Sequence, residues 1–112
     1  MKLFGLLAVA AMPALADSPV VTQVTVSGDR FSVTLSHPDT GWDHYADGWE
    51  VLDADGNSLG LRELLHPHVA EQPFTRALGG VQVPKGASTV YVRARCNVDG
   101  WSDTLFRVEL TD

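Results

Sequence analysis

Histidines supply the main candidate chemistry of this 112-residue chain. His66-Pro67-His68 places two imidazoles one residue apart, and Pro67 keeps His66 away from helical angles, which favours a stiff, extended segment. Two rings on one side of such a segment can share a metal ion, and imidazole suits zinc, copper and nickel. The segment is therefore predicted to be either a metal-binding element or a rigid loop whose histidines form hydrogen bonds or face solvent.

A metal site needs more ligands than this pair, because zinc is usually held by three or four protein side chains. Glu71 follows the pair closely, while His37 and His44 lie in other predicted loops. The candidate metal ligands are therefore His66, His68, Glu71, His37 and His44, and copper or zinc is the cofactor expected if the site exists.

Cys96 is the one cysteine of the chain, so an intramolecular disulfide is excluded. It is in phase with Val92 and Ala94, which predicts that its side chain points into the core as a small buried hydrophobic group. A soft copper ligand, an intermolecular disulfide and a reactive thiol are the alternatives.

Trp42 and Trp101 fall in predicted loops and have carboxylates nearby in sequence. Such aromatics can stack on a sugar or anchor a partner protein, or they can cover one end of the fold. They are the candidate surface for an unidentified protein or glycan partner.

The elements that must position these residues are strands, because apolar residues alternate with polar ones along several runs. About seven such runs, separated by turn residues, predict one antiparallel β-sandwich over residues 17–112. A closed barrel is the alternative, and a short helix around 61–65 is left open. The run 53–57 is interpreted as a hairpin turn rather than a calcium loop, since it lacks the required length and terminal glutamate.

Three segments resemble fibronectin type III and related immunoglobulin-like modules. The run 31–35 is similar to their second strand, 49–57 to their third strand and its hairpin, and 92–97 to their sixth strand. The usual second-strand tryptophan is absent, and the sixth-strand tyrosine is displaced or missing. Small exported bacterial proteins with one such domain look similar, and the resemblance implies a fold with little chemistry.

The first 16 residues have the form of a signal peptide. A charged start and a short apolar run precede Ala14-Leu15-Ala16, where a signal peptidase would cleave before Asp17. The apolar run is too short to cross a membrane as a helix. We therefore expect a periplasmic or secreted protein without a membrane span in its mature chain.

The composition is acidic, with a formal net charge of −6 and no cluster of basic residues. Nucleic acid is therefore not an expected partner. The sequence also contains no catalytic signature of the common hydrolase, nucleotide-binding or metalloprotease types. The expected function is a non-enzymatic periplasmic or secreted binding module. The alternative is a periplasmic copper- or zinc-binding protein that uses His66-Pro67-His68, and a small hydrolase ranks third.

Overall fold

A computed structural model describes residues 18–110, and every regular element in this range is a β-strand. The predicted signal peptide, residues 1–16, lies outside the described residues. The strands are β1 (Val20–Ser27), β2 (Arg30–Ser36), β3 (Ala46–Leu52), β4 (Ser58–Glu63), β5 (Phe74–Leu78), β6 (Thr89–Cys96), β7 (Gly100–Trp101) and β8 (Phe106–Glu109).

The strands form two antiparallel sheets. The smaller sheet has the order β1-β2-β5, and the larger one has the order β4-β3-β6. Two short strands share the other edge of β6, since β8 pairs with its first half and β7 with its last two residues. No helix within residues 18–110 is long and apolar enough to cross a membrane.

Strict alternation along β2 and β6 makes the core. Every second residue of these strands is buried, so one face of each sheet points inward. Side chains from both sheets meet in one cluster, which includes Phe31, Val33, Leu35, Trp49, Val51, Phe74, Val90, Val92 and Ala94. Burial of this apolar surface is the main favourable contribution to folding, at roughly 25 cal/mol per Å².

The β3–β4 turn has the predicted hairpin form. Asp53 accepts backbone hydrogen bonds from Asp55 and Asn57 through Oδ1, both at 2.9 Å. Gly56 has φ of +89°, a conformation that glycine adopts without strain. The segment around Leu61 belongs to strand β4, so the helical alternative for 61–65 does not hold.

The β2–β3 loop and the end of β6 meet at one end of the sandwich. Ala46, the first residue of β3, is opposite Cys96, the last residue of β6. The loop that joins β2 to β3 therefore runs beside Cys96, and this end of the molecule carries the candidate site.

The predicted all-β antiparallel sandwich is confirmed, with eight strands instead of about seven. The resemblance to fibronectin type III and immunoglobulin-like modules holds only at the level of two antiparallel sheets. The inward placement of Cys96 is also confirmed, since its side chain is fully buried.

Candidate metal centre

Three side chains with metal-binding atoms converge at the end of the sandwich. His37 directly follows β2, His44 precedes β3, and Cys96 ends β6. One ligand atom from each lies within 4.8 Å of the other two. His37 and Cys96 are buried and His44 is half-buried, so the group lies just beneath the surface.

Asp39 fixes the orientation of His37. The two side chains are fully buried, and Nδ1 of His37 lies 2.6 Å from Oδ1 of Asp39. Because a carboxylate accepts, Nδ1 carries the proton and Nε2 keeps its lone pair. A carboxylate behind a histidine is the usual support of a metal-binding imidazole, since it sets the tautomer and the ring orientation.

Asp39 also joins three parts of the chain. Its Oδ1 accepts the backbone N–H of Ala46 at 3.0 Å, and its Oδ2 accepts the backbone N–H of His68 at 2.8 Å. This one carboxylate therefore ties the start of β3 and the loop after β4 to His37.

His44 is placed by the backbone of its own tight loop. Its N–H donates to the carbonyl of Gly41 at 3.1 Å, and its carbonyl accepts from the N–H of Thr40 at 3.0 Å. Its ring meets that of His37 edge-on, with centroids 4.9 Å apart and planes at 86°.

Asn97 fastens this loop to the end of β6. Its side-chain Oδ1 accepts the N–H of Tyr45 at 2.8 Å, and its Nδ2 donates to the carbonyl of Trp42 at 3.1 Å. Its backbone N–H donates to the carbonyl of Tyr45 at 3.1 Å. Since Asn97 follows Cys96 directly, these bonds hold His44 close to the thiol.

The cluster has the features that a metal ion requires. Nε2 of His37 and Nε2 of His44 are buried without a hydrogen-bond partner, which is costly for a polar atom. Sγ of Cys96 accepts the N–H of Val98 at 3.4 Å, a contact that leaves the sulfur available as a ligand. In a tetrahedral site, Zn–N and Zn–S bond lengths correspond to ligand separations of roughly 3.3–3.6 Å. The observed separations are at most 4.8 Å.

The other predicted ligands lie elsewhere. The rings of His66 and His68 are 4.6 Å apart, but His66 is exposed and His68 stacks on Phe74 at 3.8 Å. Nε2 of His68 accepts from Arg76 at 2.9 Å, and Glu71 lies 3.6 Å from the same guanidinium. The structure thus brings together His37 and His44 from the predicted set and keeps His66, His68 and Glu71 in a separate loop.

The two predicted surface tryptophans differ in exposure. Trp42 is 65% exposed and meets the ring of Tyr45 edge-on, with centroids 5.5 Å apart. Trp101 is half-buried beneath the guanidiniums of Arg93 and Arg95, which lie 4.4 and 5.0 Å from its ring centroid. Trp42 therefore offers a free aromatic surface, and Trp101 is engaged by the protein itself.

Two residues of the site, Asp39 and Asn97, were not among the predicted residues, and Cys96 was predicted as a buried core residue with a soft copper ligand as one alternative. Cys96 carried a usable signal, because its inward phase at a strand end places a thiol beside the β2–β3 loop. The supporting roles of Asp39 and Asn97 have no sequence signal, since they depend on contacts with residues up to 55 positions away.

Comparisons with known proteins identify relatives without establishing a family. No protein-family model matches the chain. A protein of Halomicrobium mukohataei, described as a candidate lipoprotein, is 48% identical over 72 residues, which are 64% of this chain and 35% of the relative. The match thus spans about a third of the relative's length.

A solved structure of a superoxide reductase (neelaredoxin) from Ignicoccus hospitalis, a single-substitution form of that protein, has a similar fold. It is 20% identical, the match covers 88% of this chain and 83% of that one, and the TM-score is 0.49. At this level the likeness concerns the general fold.

These findings correct two expectations. The non-enzymatic binding module is not supported, because the buried donors of His37, His44 and Cys96 converge as metal ligands do, which favours the metal-binding alternative. The expectation that the chain is not an enzyme is also not kept, because converging ligands such as His37, His44 and Cys96 can hold a metal ion that takes part in a reaction.

Proposed function

We propose that this domain binds a transition-metal ion through His37, His44 and Cys96. The observation that carries the proposal is the convergence of two buried imidazole nitrogens that lack hydrogen-bond partners with one buried thiol, all within 4.8 Å. An ion satisfies both nitrogens at once, which no donor among residues 18–110 does.

The donor set narrows the choice of metal. Two imidazoles and a thiolate suit copper and zinc, and imidazole also binds iron. Copper or iron would supply one-electron redox chemistry, and zinc would supply a Lewis acid. We propose copper or zinc, as the thiolate favours these softer ions.

The arrangement also leaves room for a further ligand. Three donors converge within residues 18–110, and a tetrahedral ion has four positions. Metal sites with three protein ligands commonly bind water or a small molecule at the fourth position. His44 is half-buried, so the centre lies near solvent. We propose that the metal ion binds a small external ligand at its fourth position.

Metal analysis of the purified, untagged protein tests the proposal. Copper, zinc and iron are quantified by mass spectrometry after dialysis, and we expect about one ion per chain. His37→Ala, His44→Ala and Cys96→Ala should each lose stoichiometric metal. A sulfur-to-metal charge-transfer band, seen after loading with Cu(II) or Co(II), should disappear in Cys96→Ala.

His66→Ala is the matched control, because His66 is an exposed histidine outside the cluster. It should retain the ion and the absorption band. If His66→Ala lost the metal while His44→Ala kept it, the predicted His66-Pro67-His68 site would replace the one proposed here.

Two proposals concern the setting of this centre. The similarity to a candidate lipoprotein supports an exported protein, periplasmic or secreted. An N-terminus at or near Asp17 in the native protein would agree with this. Trp42, exposed beside Tyr45, is the proposed contact for a protein or glycan partner.

A further inference from the structure

A second group of polar side chains surrounds a small cavity beside β4 and β5. The cavity has a volume of about 80 Å³. At about 30 Å³ per water molecule, it holds two or three waters or one small ion. It is lined by Arg62, Leu64, Leu65, His66, His68 and Arg76.

The side chain of His68 lines this cavity and positions Arg76. His68 is 5% exposed, and its Nε2 accepts a hydrogen bond from Nη2 of Arg76 at 2.9 Å. The proton of the neutral ring must then be on Nδ1, which is buried without a partner. Burial, and next the charge of Arg76, lower the pKa of His68 and keep the ring neutral. Since Nδ1 is closed to solvent, the ring of His68 lines the cavity without donating into it.

Two guanidiniums add positive charge. Arg62 donates from Nε to the carbonyl of Ala77 at 2.9 Å, and no carboxylate within residues 18–110 pairs with it. Arg76 has a loose partner in Glu71, at 3.6 Å, whose side chain is 61% exposed. Such an exposed ion pair contributes little and is easily replaced.

We propose that this cavity binds a small oxyanion of the size of phosphate or sulfate. The guanidiniums of Arg62 and Arg76 are its donors, and guanidinium groups match the geometry of oxyanions. The two guanidiniums make the cavity locally positive, although the chain as a whole carries a negative net charge. Its donors are distinct from the three metal ligands, and the two sites are linked only through the bond from the backbone of His68 to Asp39.

Titration of the isotope-labelled full chain with sodium phosphate tests the proposal by NMR, with sodium chloride at equal ionic strength as the reference. We expect a saturable shift of the Nε–H signals of Arg62 and Arg76 and of backbone signals from 62–76. Arg62→Gln and Arg76→Gln should each bind at least about tenfold more weakly, as a charge-assisted hydrogen bond is lost. The experiment uses metal-free protein, so its outcome does not depend on the metal centre.

Arg107→Gln is the matched control, because Arg107 lies on β8 and pairs with Glu109 away from the cavity. It should bind phosphate as the wild type does. Arg62→Gln removes only a partly exposed side chain, so it decides the matter if Arg76→Gln does not fold. The proposal is overturned if chloride produces the same shifts, if no shift saturates, or if Arg62→Gln keeps full affinity.

Discussion

Replacing Asp39 by asparagine separates the support of the proposed metal centre from its ligands. The carboxylate accepts from His37 and Ala46 through one oxygen and from His68 through the other. An asparagine oxygen can keep the first two bonds, but the amide NH₂ then faces the N–H of His68. One buried donor loses its acceptor, and the two remaining bonds lose the help of a negative charge.

The expected cost follows from these three bonds. A buried donor without an acceptor costs about 1–3 kcal/mol, and replacing a charged acceptor by a neutral one costs roughly 1 kcal/mol per bond. The free energy of unfolding should therefore fall by about 3–5 kcal/mol, out of the 5–15 kcal/mol typical of a domain. For a domain of this size, the melting temperature should fall by roughly 12 °C or more.

The same substitution should also weaken metal binding. Loss of the carboxylate that orients a ligating histidine typically reduces metal affinity about 10- to 100-fold. Urea denaturation of the metal-free protein measures the free energy of unfolding. Competition with a chelator, at a temperature where the variant is folded, measures the metal affinity. Asp43→Asn, an exposed change in the same loop, should alter neither. If Asp39→Asn matched the wild type in both assays, the supporting role derived for Asp39 would be wrong.

Three further predictions concern other residues. Asn97→Ala removes the side-chain hydrogen bonds that fasten the loop of His44. Urea denaturation should show a free energy of unfolding lower by about 1–3 kcal/mol, and chelator competition should show a weaker metal affinity. Unchanged values in both assays would contradict this role. Burial and Arg76 lower the pKa of His68, so its folded state binds protons less readily than its unfolded state. The contribution of His68 to the free energy of unfolding should be at its full value above pH 6.5 and fall as the pH drops towards the lowered pKa. An NMR titration of His68 with a midpoint at or above 6.5 would refute the lowered pKa. Backbone hydrogen bonds from Asn57 lower the pKa of Asp53 below 3.8, so Asp53→Ala should be less stable than wild type at pH 7, and the difference should narrow as the pH falls below 3.8.

The fold class could be derived from the sequence because strand patterns are local. Alternation along 31–35 and 90–96 predicts one buried face for each strand, and the structure buries every second residue of both runs. The same alternation placed Cys96 inward. The hairpin at Gly56 could also be predicted from the sequence, since its turn is formed only by the residues from Asp53 to Asn57.

The candidate site could be predicted only in part, because its residues come from distant parts of the sequence. The closeness of His66 and His68 in sequence suggested a shared ligand pair, yet the side chain of His68 takes other partners, Phe74 and Arg76. His37, His44 and Cys96 were each recognised as possible ligands, but the sequence alone did not show which histidines meet Cys96.

Only the pairing of distant strands decided the composition of the site. The register that sets Ala46 opposite Cys96 brings the β2–β3 loop to the end of β6, across 50 positions of the chain. Asp39 then meets the backbone of His68, and Asn97 meets that of Trp42, through contacts that the folded sheets create. The sequence by itself determined which residues of β2 and β6 are buried, since burial there follows a period of two. The tertiary structure alone determined which of them share a centre, because ligand geometry depends on how separate strands and loops pack.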